Sequence, residues 1–154
     1  MKKSVIAFIG MVLFSLSCGK TADTGCTPAP ISSEKSAMVA YCTANSINYT
    51  EHSSGILYEI VSAGTGTAPT LASTVSVLYT LKSMAGVTIQ STANPYTNAL
   101  SQLIEGWKIG IPLIKAGGKI KLIIPSALAY SCVGSQSIPP NSPLFFEVTL
   151  VGVQ

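Results

Sequence analysis

Pro112 sets the tightest limit on what this chain can fold into. Ile104, Trp107 and Ile111 recur at i, i+3 and i+7, the spacing of one buried helix face. Pro112 follows directly; it has no N–H to donate and its ring crowds the preceding turn, so the helix stops after about two turns. The sequence on either side alternates with period two. Residues 74–82 place Val75, Val77, Tyr79 and Leu81 on one face and Thr74, Ser76, Thr80 and Lys82 on the other. Residues 119–124 set Lys119 and Lys121 against Ile120, Leu122 and Ile124, and residues 143–153 align Leu144, Phe146, Val148 and Leu150. Residues 56–62 read as a further strand, and residues 87–91 as a short one turned through Ala85-Gly86. The spacing predicts an α+β fold: a curved antiparallel β-sheet, a half-barrel, wrapped around one short helix.

The first segment has a different logic. Lys2 and Lys3 precede an apolar run over residues 5–14 that only Gly10 interrupts. The run is too short to span a bilayer and suits a signal segment. It ends in Ser15-Leu16-Ser17-Cys18, which resembles the lipobox of bacterial lipoproteins, with Ser15 departing from the usual aliphatic residue. Residues 1–17 are therefore expected to be a signal peptide and Cys18 the lipidated first residue of a membrane-anchored chain facing the periplasm or the cell surface. The nine cations are all lysine, against six acids; without residues 1–17, seven face six and the net charge falls from +3 to +1.

Residues 18–31 read as a lipidated flexible tether, small, polar and proline-containing. Residues 32–53 hold a small N-terminal helix that opens at Ser33-Glu34, carries Met38, Tyr41 and Cys42 at 3/4 spacing and breaks at Ser46. Cys26 and Cys42 are expected to bridge in an oxidising compartment, leaving Cys132 as the odd thiol. Residues 54–154 form the β-rich domain. His52 reads as a solvated loop residue.

Composition excludes several function classes. There is no arginine, which speaks against a nucleic-acid binder that needs bidentate contacts and a basic face. One histidine, scattered acids and no C-x-x-C pair leave no metal site. Asp23-Thr24-Gly25 matches the aspartic-protease tripeptide, but that chemistry needs two such carboxylates and no second copy exists. The last hundred residues hold no nucleophile–base pair, no carboxylate dyad and no phosphate-cradling loop.

They hold instead a set of aromatics. Tyr79 and Phe146 fall on the inward faces of their strands, Trp107 on the helix stripe, and Tyr130 in the loop after a strand. Taken singly, each is ordinary core packing. Their joint order, in the segments VSVLYTLK, LIEGWKIGIPLIKAGGKIKLIIPSALAY and SIPPNSPLFFEVTLVGV, resembles FKBP-type peptidyl-prolyl isomerases from about residue 55 to the end. The lipidated N-terminus with a small helix resembles lipoprotein members found in Bacteroidetes-type bacteria.

The resemblance implies a proline pocket on Tyr79, Tyr96, Leu103, Ile104, Trp107, Tyr130 and Phe146, with Ile138 at the rim. Trp107 would be the floor, Tyr130 would donate to a substrate carbonyl, and the Ile104 backbone N–H would be a second donor. Ile89-Gln90 stands where the family usually has Phe-Asp, and Ser131-Cys132-Val133-Gly134 replaces the commoner loop. The implied activity is peptidyl-prolyl cis-trans isomerisation on proline-containing polypeptides, assisting the folding of exported proteins. No cofactor, no metal and no nucleic acid are implied, and a monomer is expected. Two alternatives stay open: a non-catalytic peptide-binding or chaperone module on the same fold, and a surface adhesion lipoprotein.

Overall fold

The computed structural model describes residues 25–154; the expected signal segment 1–17 and Cys18 lie outside the described residues. Seven strands build one antiparallel sheet: β1 Thr50–Glu51, β2 Leu57–Ser62, β3 Thr74–Ser83, β4 Thr88–Ser91, β5 Tyr96–Ala99, β6 Lys119–Ile124 and β7 Leu144–Val153. Their order is β1-β2-β6-β7-β3-β4, and β5 shares an edge of β3 with β4. The last strand is thus central. β7 pairs with β6 from Lys119↔Thr149 to Ile124↔Leu144 and with β3 from Val75↔Val153 to Ser83↔Leu144.

The short helix expected before Pro112 is α2, Glu105–Gly110, and Pro112 lies in the 3-10 turn Ile111–Leu113 that continues it. Trp107 and Ile111 pack in one core with Val77, Leu81, Ile120, Leu122, Ile124 and Phe146. Two glycines let α2 lie this close to the sheet. A Cβ on Gly106 would stand 2.5 Å from Ile124, and one on Gly110 would stand 2.6 Å from Leu122. Closeness of helix and sheet brings Trp107 to the site described below.

The helix α1, Ile31–Ala44, starts earlier than expected. Pro30 leads into it, and the Ser33 hydroxyl donates to the Pro30 carbonyl instead of capping a free N–H. Met38, Tyr41 and Cys42 form its buried face, as the spacing predicts. They pack against Leu57, Ile123 and Phe145. Those three are direct partners across β2, β6 and β7, so they form one row on the opposite face of the sheet from the main core. The sheet is therefore covered on both faces at this end, which a reading of one inward face per strand misses.

This packing overturns the expected Cys26–Cys42 bridge. Cys42 is fully buried against the sheet and is a free thiol. Cys26 bonds Cys132 instead, across 106 residues of sequence. Proximity in sequence favoured the wrong pair, because the helix face that carries Cys42 is used up in docking. The expected tether is corrected with it. From Cys26 onward the segment is tied down, and the Ala29 N–H also donates to Asn141 Oδ1 at 3.0 Å. His52 is half-buried, with its Nδ1 bound to the Ser54 hydroxyl and N–H in a turn. The strands β1 and β5 go unseen in the sequence because both are short and exposed, with no alternation to read.

Candidate active site

Tyr79 sits where the edge partner of β3 changes. β5 pairs with Thr74–Val77 and β4 with Thr80–Lys82. Between them Thr92 completes the ladder: Tyr79 N–H donates to Thr92 Oγ1 at 2.9 Å, and Thr92 N–H donates to Tyr79 O at 3.0 Å. The split edge brings Gln90 from β4 and Tyr96 from β5 to either side of Tyr79. β7 contributes Phe146, which is paired with Leu81 and Leu122. α2 contributes Trp107.

The rings meet edge to face, the arrangement their quadrupoles favour. Centroids of Trp107 and Phe146 lie 5.4 Å apart at 80°, and Tyr79 and Tyr96 lie 6.3 Å apart at 79°. After the 3-10 turn Leu100–Gln102, Leu103 and Ile104 run extended. The Ile104 carbonyl accepts the Trp107 N–H at 2.9 Å, while its own N–H has no partner among the described residues. Tyr130 comes from the loop after β6. That loop begins with the 3-10 turn Ser126–Leu128, and the Ser131 N–H returns to Ser126 O at 2.7 Å.

Together these residues enclose a cleft of about 110 Å³ lined by Tyr79, Leu81, Gln90, Tyr96, Leu103, Ile104, Trp107, Tyr130 and Phe146. Its size suits one small ring or side chain and falls well below a drug-sized cavity. Eight residues expected at the site are brought together here, Gln90 among them. Two others are not. Ile138 is buried in the core, and Ile89 lies beside it along a separate shallow groove with Pro139 and Leu144. Ile89 falls at the bulge in the β3–β4 register, which turns it away from the cleft that its neighbour Gln90 lines. Leu81 was missed as a lining residue, although its place on the inward face of β3 with Tyr79 was the available signal.

The cleft contains no carboxylate, lysine or histidine. Burial pushes the Tyr79 hydroxyl pKa up, with Tyr130 and Tyr96 adding to it and the nearby Gln90 amide pulling back. Burial also raises Tyr130, with a further push from Tyr96. Both hydroxyls are thus protonated donors at neutral pH. Trp107 Nε1 is buried without a hydrogen-bond partner among the described residues. Leaving a buried donor unpaired costs about 1–3 kcal/mol, so the site carries a polar debt that a ligand acceptor could relieve. The only ion pair on α2 among the described residues, Glu105 with Lys108 at 2.6 Å, stays outside the cleft. Such a site can strip water from a bound group and donate hydrogen bonds to it. It has no group to take a proton at neutral pH.

Residues 66–151 match the family model for FKBP-type peptidyl-prolyl cis-trans isomerase. The FKBP-type peptidyl-prolyl cis-trans isomerase FkpA of Escherichia coli is 42% identical over 105 residues, covering 66% of this chain and 39% of that protein. FK506-binding protein 4 of Dictyostelium discoideum is 41% identical over 102 residues, covering 64% and 28%. The crystal structure of FkpA from Escherichia coli matches with a TM-score of 0.72 at 35% identity, over 80% of this chain and 61% of that one. A peptidyl-prolyl cis-trans isomerase from Pseudomonas syringae matches with a TM-score of 0.69 at 29% identity, over 83% and 98%. The aligned part of this chain spans well under half the length of these curated relatives.

Proposed function

Because this chain belongs to the FKBP-type peptidyl-prolyl cis-trans isomerase family, we propose that it accelerates the cis–trans interconversion of X–Pro bonds in polypeptides. The observation that carries this is the cleft itself: a box of Tyr79, Trp107 and Phe146 with the Tyr130 hydroxyl beside it and no carboxylate, lysine or histidine in its lining.

Rotation about an X–Pro amide is slow because resonance gives the C–N bond double character, with a barrier of about 18–20 kcal/mol. The planar amide is charge-separated, and water stabilises it. An apolar cleft removes that water and raises the planar form, while a twisted amide loses less. Binding the twisted form better than either planar isomer is what lowers the barrier. Each tenfold acceleration needs only about 1.4 kcal/mol of this preference. Trp107 and Phe146 supply the apolar walls. Tyr130, and the free N–H of Ile104, hold the substrate carbonyls while the bond turns. No proton has to move.

The chain acts, in this reading, as a lipid-anchored monomer of the cell envelope on the prolines of exported proteins, in the manner of Bacteroidetes-type lipoproteins. The short apolar run ending at Ser17-Cys18 supports the anchor, and the Cys26–Cys132 disulfide supports an oxidising compartment. A protease-free, proline-limited refolding assay tests the activity. Acceleration at catalytic amounts is expected; an effect that grows only in step with stoichiometry would mark a binding module. Fatty-acid labelling that persists in Cys18→Ala would refute the anchor.

A further inference from the structure

The family match begins at residue 66, yet the loop carrying Tyr130 is held from outside it. Three contacts run from residues 26–34 to that loop. Cys26 is disulfide-bonded to Cys132, two residues beyond Tyr130. The Ala29 N–H donates to Asn141 Oδ1, and the Asn141 N–H donates in turn to the Ser131 carbonyl at 2.8 Å. Glu34 is the third. It is 7% exposed, and its carboxylate accepts the Ser126 N–H at 2.7 Å and the Ser126 hydroxyl at 2.5 Å. Ser126 in turn accepts the Ser131 N–H, so Tyr130 lies between two anchor points that the N-terminal segment grips.

A buried carboxylate is expensive to desolvate, and no cation pairs with Glu34 among the described residues. The apolar face of α1 that packs on the sheet is Met38, Tyr41 and Cys42, with Val39 beside it. The carboxylate and the disulfide lie outside that apolar cluster, and both reach the same loop. At Ser131 the backbone is left-handed, φ +54°, a conformation that a non-glycine residue keeps only when its surroundings hold it.

We propose that residues 26–34 form a brace that positions the Tyr130 hydroxyl over the cleft, with Glu34 and the Cys26–Cys132 disulfide as positioning residues. The proposal rests on the reading of Tyr130 as a donor to the substrate. The brace sets where the hydroxyl sits; it touches no substrate itself.

The test crosses brace and donor variants in the full chain, with kcat and KM for peptide isomerisation and near-UV circular dichroism on the same samples. Glu34→Ala should lower kcat/KM a few-fold and no more than Tyr130→Phe itself, since misplacing the hydroxyl can at most forfeit the hydrogen bond it makes. In a Tyr130→Phe background the same change should add almost nothing, because the hydroxyl it places is already gone. Glu34→Gln should restore the rate, since its amide can accept the Ser126 N–H and donate to the Ser126 hydroxyl. If Glu34→Ala does not fold, Cys26→Ser/Cys132→Ser supplies the same cross. Losses that multiply independently of Tyr130→Phe would overturn the brace alone. A Tyr130→Phe variant with undiminished kcat/KM would overturn the donor reading first, and the brace with it.

Discussion

The ring of Tyr79 meets the indole of Trp107 edge to face, with centroids 5.1 Å apart and planes at 83°. One ring comes from β3 and the other from α2, so the contact joins the sheet to the helix at the cleft. Aromatic pairs of this geometry add about 0.5–1.5 kcal/mol beyond the area they bury. The site and the core are thus built from the same rings.

Aromatic substitutions should therefore harm turnover more than charge substitutions near the cleft. Phe146→Ala is expected to cut kcat/KM by tenfold or more and, as a buried Phe truncation, to destabilise the fold by about 3–5 kcal/mol. Tyr130→Phe separates the two effects. It keeps the ring and removes one hydrogen bond, about 0.5–1.5 kcal/mol, or a few-fold in rate. Glu105→Gln breaks only the exposed-side pair with Lys108 and should leave turnover unchanged. A larger loss in folded Glu105→Gln than in Tyr130→Phe would contradict catalysis by desolvation.

How far the sequence reveals this arrangement depends on which interactions are periodic. β3, β6 and β7 are legible because they are long and half-buried, and α2 because Pro112 bounds a clear stripe. The split edge of β3 is not legible. It depends on Thr92 bonding to the Tyr79 backbone, a contact with no signature in Ala93-Asn94-Pro95. Tyr79, Trp107, Tyr130 and Phe146 look like core residues singly, and only their order, read as a family resemblance, drew them together. The Cys26–Cys132 bond was hidden for a different reason. It depends on which side of α1 faces the sheet, and that is settled by a row of outer-face residues, Leu57, Ile123 and Phe145, from three separate strands.

The thiols give a direct check on that topology. Cys42 is fully buried, and burial together with the nearby Glu59 charge pushes its pKa above the ordinary thiol value. Reaction needs exposed thiolate. With native protein at pH 7, maleimide should leave Cys42 unlabelled, and without reductant Cys26 and Cys132 should also stay unlabelled. In denaturant Cys42 alone of the three should react, as read by peptide mapping. A Cys26–Cys42 linked peptide would show the disulfide assignment to be wrong.

The phenols define the pH behaviour. Tyr79 and Tyr130 both have pKa values raised by burial above the ordinary tyrosine value near 10. As donors they are intact below that value, and no carboxylate, lysine or histidine lines the cleft. Activity should be flat from about pH 6 to 9. For stability the sign follows from the raised pKa: the folded state holds these protons more tightly than the unfolded one. Their contribution is complete below the unfolded value, near 10, and is lost as pH rises through the folded values. Urea midpoints and kcat/KM should therefore fall together only at alkaline pH. A bell-shaped rate profile centred near pH 7 would point to a general base and refute the mechanism.

Gln90 is the residue whose chemistry departs furthest from the family's pattern while still lining the cleft. It pairs with Leu81 across the β3–β4 register, beside Tyr79, where the resemblance implies a carboxylate. Macrolide inhibitors of the family present a hydroxyl to that carboxylate, whereas a prolyl peptide has no obligatory donor there. A hydrogen bond to a charged group contributes about 1.5–3 kcal/mol, against about 0.5–1.5 for a neutral one. The difference, about 1–1.5 kcal/mol, is roughly five- to tenfold in affinity. Drug binding should then be weakened more than peptide turnover. Ile89 adds little to this, since it lies outside the cleft. The variant Gln90→Asp tests it, with macrolide affinity by calorimetry and peptide isomerisation measured on one preparation. The new carboxylate would sit beside three phenols and no cation, so affinity should be measured at pH 7 and above, to favour its ionised form. Tighter binding by about fivefold or more, with turnover changed less than twofold, is the expected outcome. A hundredfold rise in turnover at unchanged affinity would mean that the carboxylate acts on the reacting amide, and the wild-type chain would then be better described as a peptide binder than as an isomerase.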